Sequence, residues 1–236
     1  MAPGPLALVG GDELKPGNEP QDRILVAAAG EGPAYVIATA AARQRPDLAV
    51  SNARTWFAGL GLDVVELPLM KRAHATSLEV AAHAREGRFF YLVGGDPGLV
   101  PKVLADSPVW EAIVEAWRDG AALGGSSAGA MALGSWTLIR DRMPGDDRRR
   151  YRDALGLVPN VAVIPHLSSF GERWIPSALE AAPGDAILLG IDERTAAVFV
   201  DGAWHVEGPG AVMVITKRNR ASYRSADPVH DLPPPA

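Results

Sequence analysis

Ala121-Ala122-Leu123-Gly124-Gly125-Ser126-Ser127-Ala128-Gly129-Ala130-Met131-Ala132-Leu133 is the stretch from which the rest of the chain can be read. A short apolar run passes into a turn of small residues and then into a helix-favouring segment. Within it, Gly125-Ser126-Ser127-Ala128-Gly129 fits the pattern G-x-S-x-G, in which a serine sits on a tight strand-to-helix turn with its hydroxyl projecting. Small residues two before and two after the serine keep that turn from clashing. The amide of the following residue, Ala128, opens a helix and can bind a developing oxyanion. Ser126 lacks glycines at both offsets, so Ser127 is the candidate nucleophile.

The same punctuation recurs on either side. Leu6-Ala7-Leu8-Val9 stops at Gly10-Gly11, and Phe89 to Val93 stops at Gly94-Gly95. Arg23 to Ala29 is a further apolar run ending at Gly30. The spacing of Ala49, Ala53, Trp56 and Phe57 predicts a helix over 46–59, closed by Gly59 and Gly61. A strand over 63–67, a helix over 76–86 and helical segments between Pro101 and Gly120 follow. In the second half, Val161 to Ile164, Ala186 to Ile191 and Ala211 to Thr216 read as strands. Thr195 to Val200 and Trp204 to Val206 flank Asp201-Gly202, a hairpin signal.

Strands alternating with helices predict an α/β fold: a single doubly wound, mostly parallel sheet with helices on both faces and a C-terminal β-hairpin. Functional groups then gather at the carboxyl ends of strands. With no internal repeat and no long linker, one domain over 1–236 is expected. Its core runs from about 6 to 216, and tails at 1–5 and 225–236 read as flexible, the latter ending in Pro233-Pro234-Pro235 before Ala236. The charged stretch Asp141 to Asp153, with Arg148-Arg149-Arg150, reads as a solvated loop.

Composition excludes several functions. The 236 residues are 47% hydrophobic and 22% charged, enough for a sizeable core and unlike a disordered chain. A net charge of −5 disfavours non-specific binding to nucleic acid or to an anionic membrane. The absence of cysteine excludes disulfides and a thiolate nucleophile. Met1-Ala2-Pro3-Gly4-Pro5 does not read as a signal peptide, and no run reaches the roughly 20 apolar residues of a membrane span. A cytoplasmic location is expected, with no membrane partner, no nucleic acid and no cofactor.

A serine hydroxyl needs a base. Of five histidines, His74 and His83 lie before and within a predicted helix, His205 alternates within a hairpin strand, and His230 is in the tail. His166 follows Pro165 at the end of an apolar strand and is the best placed. The acid that would hold its imidazole is open among Asp141, Asp146, Asp147, Asp153, Asp192 and Glu193. No pair of histidines has metal-ligand spacing on a helix.

Taken together, Leu8-Val9-Gly10-Gly11-Asp12-Glu13, Val93-Gly94-Gly95-Asp96, the serine block, Pro165-His166 and Gly190-Ile191-Asp192-Glu193-Arg194-Thr195-Ala196 resemble the cyanophycinase and dipeptidase E family of serine peptidases. That family is related to class I glutamine amidotransferases, whose fold the resemblance implies for this domain. It also implies Ser127 as nucleophile, His166 as general base, and the amides of Gly95 and Ala128 as the oxyanion hole. Asp96 and Arg173 are the candidate substrate-binding residues, for a substrate amine and a substrate carboxylate. Cyanophycinases carry Asn-Gln after the glycine pair and several arginines after the histidine. This chain has Asp96-Pro97 and, in the stretch from Leu167, the single Arg173. The triad aspartate of dipeptidase E, just before Met-Pro, aligns with Arg142, and Asp141 is its neighbour, so Asp141 is the first candidate acid, with Glu193 or Asp192 as alternatives.

The expected function is hydrolysis of a small peptide or isopeptide through an acyl-enzyme, with a homodimer left open. Two other readings stand beside it. One is a ligand-binding relative that has lost catalysis. The other is an esterase of the α/β-hydrolase type, whose histidine would have to be His205 or His230.

Overall fold

The computed structural model of the chain describes residues 2–140 and 148–236. Its elements, in chain order, are β1 (Leu6–Val9), α1 (Glu19–Ala28), β2 (Ala34–Ile37), α2 (Pro46–Gly59), β3 (Val65–Glu66), α3 (Arg72–Ala75), α4 (Leu78–Glu86) and β4 (Phe89–Leu92). Then come α5 (Leu99–Leu104), α6 (Pro108–Arg118), β5 (Ala122–Ser126), α7 (Ala128–Leu133), β6 (Gly134–Arg140) and β7 (Arg149–Asp153). The chain closes with β8 (Val158–Ile164), α8 (Ile175–Glu180), β9 (Ile187–Ile191), β10 (Ala196–Val200), β11 (Ala203–Glu207), β12 (Ala211–Ile215) and β13 (Arg220–Arg224).

Local chemistry sets the helix starts. Ser107 accepts from the Trp110 amide and Pro108 stands in the first turn of α6, so an orphan donor is satisfied and φ is preset. Ser77 caps α4 in the same way through Val80. The apolar stripe of α6, with Trp110, Ile113 and Trp117, is buried.

The strands form two sheets. Seven lie in the order β11-β10-β1-β5-β4-β2-β3, with β1, β5, β4, β2 and β3 parallel and β10 and β11 antiparallel. Six more lie in the order β13-β12-β9-β8-β6-β7, with β6, β8 and β9 parallel and the outer strands antiparallel. The period-2 alternation of β1 and β4 splits the core. Leu6, Leu8, Phe90 and Leu92 face one apolar cluster, while Ala7, Val9, Phe89 and Tyr91 face another with Leu25 of α1 and Phe57 of α2. Both faces of the seven-stranded sheet are therefore covered, which its almost wholly buried central strands require.

Four expectations change. The single sheet is two, because β6 leaves α7 directly and pairs with β8 rather than returning to β5. Gly134 lets it do so, since a Cβ there would lie 2.5 Å from the Val161 carbonyl. The run Arg23 to Ala29 is helical: Pro20 stands in the first turn of α1, and the buried Asn18 precedes it. Arg149 and Arg150 lie on β7, and Arg149 is buried, its guanidinium 4.0 Å over the Trp174 ring. A planar cation stacked on an aromatic face explains how a charge run enters a strand.

The tails also pack. The Gly4 amide donates to the Trp117 carbonyl at 2.8 Å. Val229 and Leu232 are buried, and Trp204 Nε1 donates to the Pro233 carbonyl at 2.9 Å. Prolines do not prevent packing where a neighbouring residue of the tail supplies the amide, as at Gly4, or the proline supplies a carbonyl, as at Pro233.

Candidate active site

Five loops meet at the carboxyl ends of β1, β4, β5, β8 and β9. Ser127 follows β5 with φ 49° and ψ −113°, a strained conformation for a residue with a side chain. Its amide is held by the Val9 carbonyl at 2.9 Å, and the Met131 amide returns to its own carbonyl at 2.9 Å. The hydroxyl therefore stands clear of the turn, with the positive φ maintained from both sides.

Ser127 Oγ lies 3.1 Å from His166 Nε2, and His166 Nδ1 lies 2.7 Å from Glu193 Oε1. His166 follows β8, also at positive φ, with its amide donating to the Gly10 carbonyl at 2.7 Å. Gly11 explains why the imidazole fits: its φ is +110°, and a Cβ there would lie 2.2 Å from His166 Cε1. Phe170 stacks on the imidazole with centroids 4.8 Å apart and planes 22° apart, and Trp174 continues that aromatic wall.

Glu193 sits between β9 and β10. Its successor Arg194 donates from Nε to Asp12 Oδ2 at 2.7 Å and from its amide to the Gly11 carbonyl at 2.9 Å. Hydrogen bonds from Lys15 and then Arg194 hold the Asp12 carboxyl below the usual carboxylate range, so the latch is charged at neutral pH. Asp192 points elsewhere, accepting from the Ser168 amide at 3.0 Å and the Ala211 amide at 2.9 Å. Asp141, like Asp146 and Asp147, lies outside the described residues. His205 is on β11, 3.9 Å from Glu207, and His230 is in the tail; neither bonds Ser127.

The loop after β4 faces the serine. Gly95 has φ +145°, and a Cβ there would lie 2.3 Å from the Ala40 carbonyl. The Asp96 amide donates to that carbonyl at 2.8 Å, and the Gly94 amide donates to Glu13 Oε1 at 2.8 Å. The Asp96 carboxylate caps the Gly98 amide at 2.9 Å and lies 3.9 Å from Arg43. With Leu138, Ile139, Arg149 and Trp174 it lines a cavity of about 300 Å³. Arg173 is exposed on the short 3₁₀ turn Gly171–Trp174 beyond His166.

No sequence pattern assigns a role to Glu13, Phe170 or Arg194. A carboxylate two residues beyond the Gly10-Gly11 pair was a usable signal for Glu13, since that position follows a strand end. Phe170 gave none, because its stacking depends on how the loop after His166 folds. Among the described residues, no group of three or more His, Asp or Glu side chains could hold a metal ion, and no helix is long and apolar enough to cross a membrane.

A serine at a strand-to-helix elbow, bonded to a histidine that is bonded in turn to a carboxylate, is the arrangement of a serine hydrolase on an α/β frame. Comparison with known proteins narrows the class. Peptidase family S51 matches residues 6–206. A cyanophycinase from Trichormus variabilis is 30% identical over 238 residues, covering 95% of this chain and 80% of the relative. A cyanophycinase from Geminocystis herdmanii is 27% identical over 241 residues, covering 96% and 88%. The crystal structure of a peptidase from an acI-B1 Actinobacterium superposes with a TM-score of 0.84 at 29% identity, covering 96% of both chains. A putative peptidase E protein from Listeria monocytogenes EGD-e shares the fold with a TM-score of 0.61 at 19% identity, covering 95% of this chain and 100% of that one. The chain belongs to peptidase family S51 and is a serine peptidase.

Proposed function

We propose that the chain hydrolyses a small peptide or isopeptide through an acyl-enzyme, with Ser127 as nucleophile, His166 as general base and Glu193 as the acid. The observation that carries this reading is the unbroken line from Ser127 Oγ through both ring nitrogens of His166 to Glu193. His166 Nε2 takes the hydroxyl proton as Oγ attacks the carbonyl carbon. The tetrahedral oxyanion is met by the amides of Gly95 and Ala128. Collapse expels the amine, which receives the proton from His166, and water then repeats the sequence to release the acid.

The Ala128 amide suits this role as the first of α7, with no intrahelical acceptor. Asp96, one residue past Gly95, is placed for a substrate amine or other cation, and Arg173 for a substrate carboxylate. The frame is read as class I glutamine amidotransferase-like, with serine where those enzymes use cysteine. The cyanophycinase names of the relatives make β-linked aspartyl peptides the first to try.

The test is a panel of Asp-X dipeptides and β-Asp-Arg with the parent chain and its Ser127→Ala variant, alongside labelling by a fluorophosphonate. Cleavage of at least one substrate, with Ser127-dependent labelling, is expected. A folded parent chain that neither cleaves nor labels would favour a ligand-binding relative without catalysis.

A further inference from the structure

Three consecutive amides after β4 are treated differently by the fold. The outer two are occupied: Gly94 donates to Glu13 Oε1 at 2.8 Å, and Asp96 donates to the Ala40 carbonyl at 2.8 Å. Among the described residues nothing accepts from the middle one, Gly95. The carboxylate that takes the first amide has a second partner. Ser126, the residue before the nucleophile, donates from Oγ to Glu13 Oε2 at 3.0 Å. Glu13 thus spans two strand ends, the loop after β4 and the last residue of β5. The packing there is close, since a Cβ on Gly94 would lie 2.9 Å from Glu13 Oε1 and 3.2 Å from Ser127 Cβ.

We propose that Glu13 is a positioning residue: its two carboxylate oxygens fix the loop after β4 against the serine elbow, so that the Gly95 amide aims at the oxyanion. This rests on reading Ser127 as nucleophile and Gly95 as oxyanion donor. A carboxylate suits the task because both partners are donors and each oxygen accepts one of them. The bond to Ser126 fixes the elbow's approach, and the bond to Gly94 fixes the loop's rotation. Gly95 itself must be glycine, because its φ of +145° and the nearby Ala40 carbonyl leave no room for a side chain. With the outer amides tied and the middle residue unobstructed, the donor costs little reorganisation as charge develops.

The distinction to test is geometry against charge. Glu13→Gln keeps the length: its amide oxygen can accept from Gly94, and its NH₂ can donate to Ser126 Oγ, which also accepts. Glu13→Asp keeps the charge but is too short to span both partners. The readout is the second-order rate at which a fluorophosphonate labels Ser127, followed from pH 5 to 9, with folding checked by thermal denaturation. Ser127 Oγ displaces fluoride there, and the phosphonyl oxygen occupies the oxyanion site, so no peptide substrate need be known.

Glu13→Gln is expected to stay within about tenfold of the parent, while Glu13→Asp and Glu13→Ala lose about 10²-fold, the scale of a lost oxyanion donor. The pH midpoint stays in place and only the plateau falls. The reverse order, with Glu13→Asp fast and Glu13→Gln slow, overturns the proposal in favour of a charge effect, as does a displaced midpoint. Folded Glu13→Asp labelling at the parent rate overturns it too, even if Glu13→Ala fails to fold. A parent chain that is not labelled at all removes the underlying reading of Ser127 and the proposal with it, an outcome distinct from any order among the variants.

Discussion

His166 Nδ1 lies 2.7 Å from Glu193 Oε1, and the two residues reach each other from the ends of adjacent parallel strands, β8 and β9. Ser127, on the other ring nitrogen, comes from β5 in the other sheet. The proposed catalytic line therefore crosses the seam between the sheets. That seam is tied at this point by backbone bonds from His166 to the Gly10 carbonyl and from Arg194 to the Gly11 carbonyl, while the Gly10 amide extends the β1–β10 pairing to the Thr195 carbonyl. The loop after β1 is common to all three. Its contact with His166, the turn carrying Glu193 and, through Glu13, the loop after β4 makes it the part of the site on which the others are aligned.

Glu193→Gln is expected to lower kcat by about 10²–10⁴-fold with a smaller change in KM. The amide can present its NH₂ to His166 Nδ1 and favour the wrong tautomer, and it cannot stabilise the imidazolium. Steady-state kinetics on whichever dipeptide the parent cleaves provide the check. A loss under tenfold would move the acid to another residue.

The turn at Ser127 and the placement of His166 at a strand end were legible because each depends on a local pattern: small residues around Ser127, and an apolar strand delivering Pro165-His166. The acid was not decided by spacing, since Asp192 and Glu193 are neighbours with opposite directions and one residue of backbone rotation separates them. The second sheet was hidden for a similar reason. β6 is a mixed strand with half-exposed Ser135, Trp136 and Ile139, and its partner β8 is parallel and distant in sequence. β13 alternates exposed and half-exposed residues and has no apolar face strong enough to announce it. What was missed depends on tertiary partners rather than on local preference.

Asp192→Ala is expected to separate structure from catalysis. It removes the acceptor for the Ser168 and Ala211 amides, one at the loop after His166 and one at the start of β12. A loss of about 2 kcal/mol in urea denaturation is expected, since two donors lose charge-assisted bonds at partly exposed positions. Near-parent fluorophosphonate labelling of the folded fraction should accompany it. A collapse of labelling without loss of stability would show that Asp192 acts on the chemistry.

Asp22 gives the fold a pH dependence. It is buried on α1 against the seven-stranded sheet, and among the described residues only Trp56 Nε1 donates to its carboxyl, at 2.8 Å. Burial pushes its carboxyl up to about 7, against the bond from Trp56 and with the help of the Glu13 charge. The folded state therefore holds this proton over a range in which the unfolded chain has released it. Folding binds protons there, so stability falls as pH rises from about 4 to about 7 and levels off above. Asp22→Asn should remove that slope, at up to about 1.4 kcal/mol per pH unit. Its midpoint in urea should exceed the parent's at pH 8 by more than at pH 5. Parallel pH profiles for the two chains would count against a protonated Asp22.

Removal of residues 228–236 tests whether the packed C-terminus stabilises the fold. Val229 and Leu232 are buried against the β10–β11 hairpin, Trp204 spends its indole N–H on the Pro233 carbonyl, and the Ala236 amide reaches the Leu157 carbonyl at 2.8 Å. Exposing two aliphatic side chains costs about 1.5–3 kcal/mol each, less what the ordered backbone regains in entropy. A net loss of about 2–3 kcal/mol lowers Tm by roughly 4–12 °C in a chain of this size. The truncated chain should still label at Ser127 at 25 °C, because none of these contacts involves a residue of the serine, histidine or glutamate loops. An unchanged Tm would mean that the tail lies on the hairpin without stabilising it.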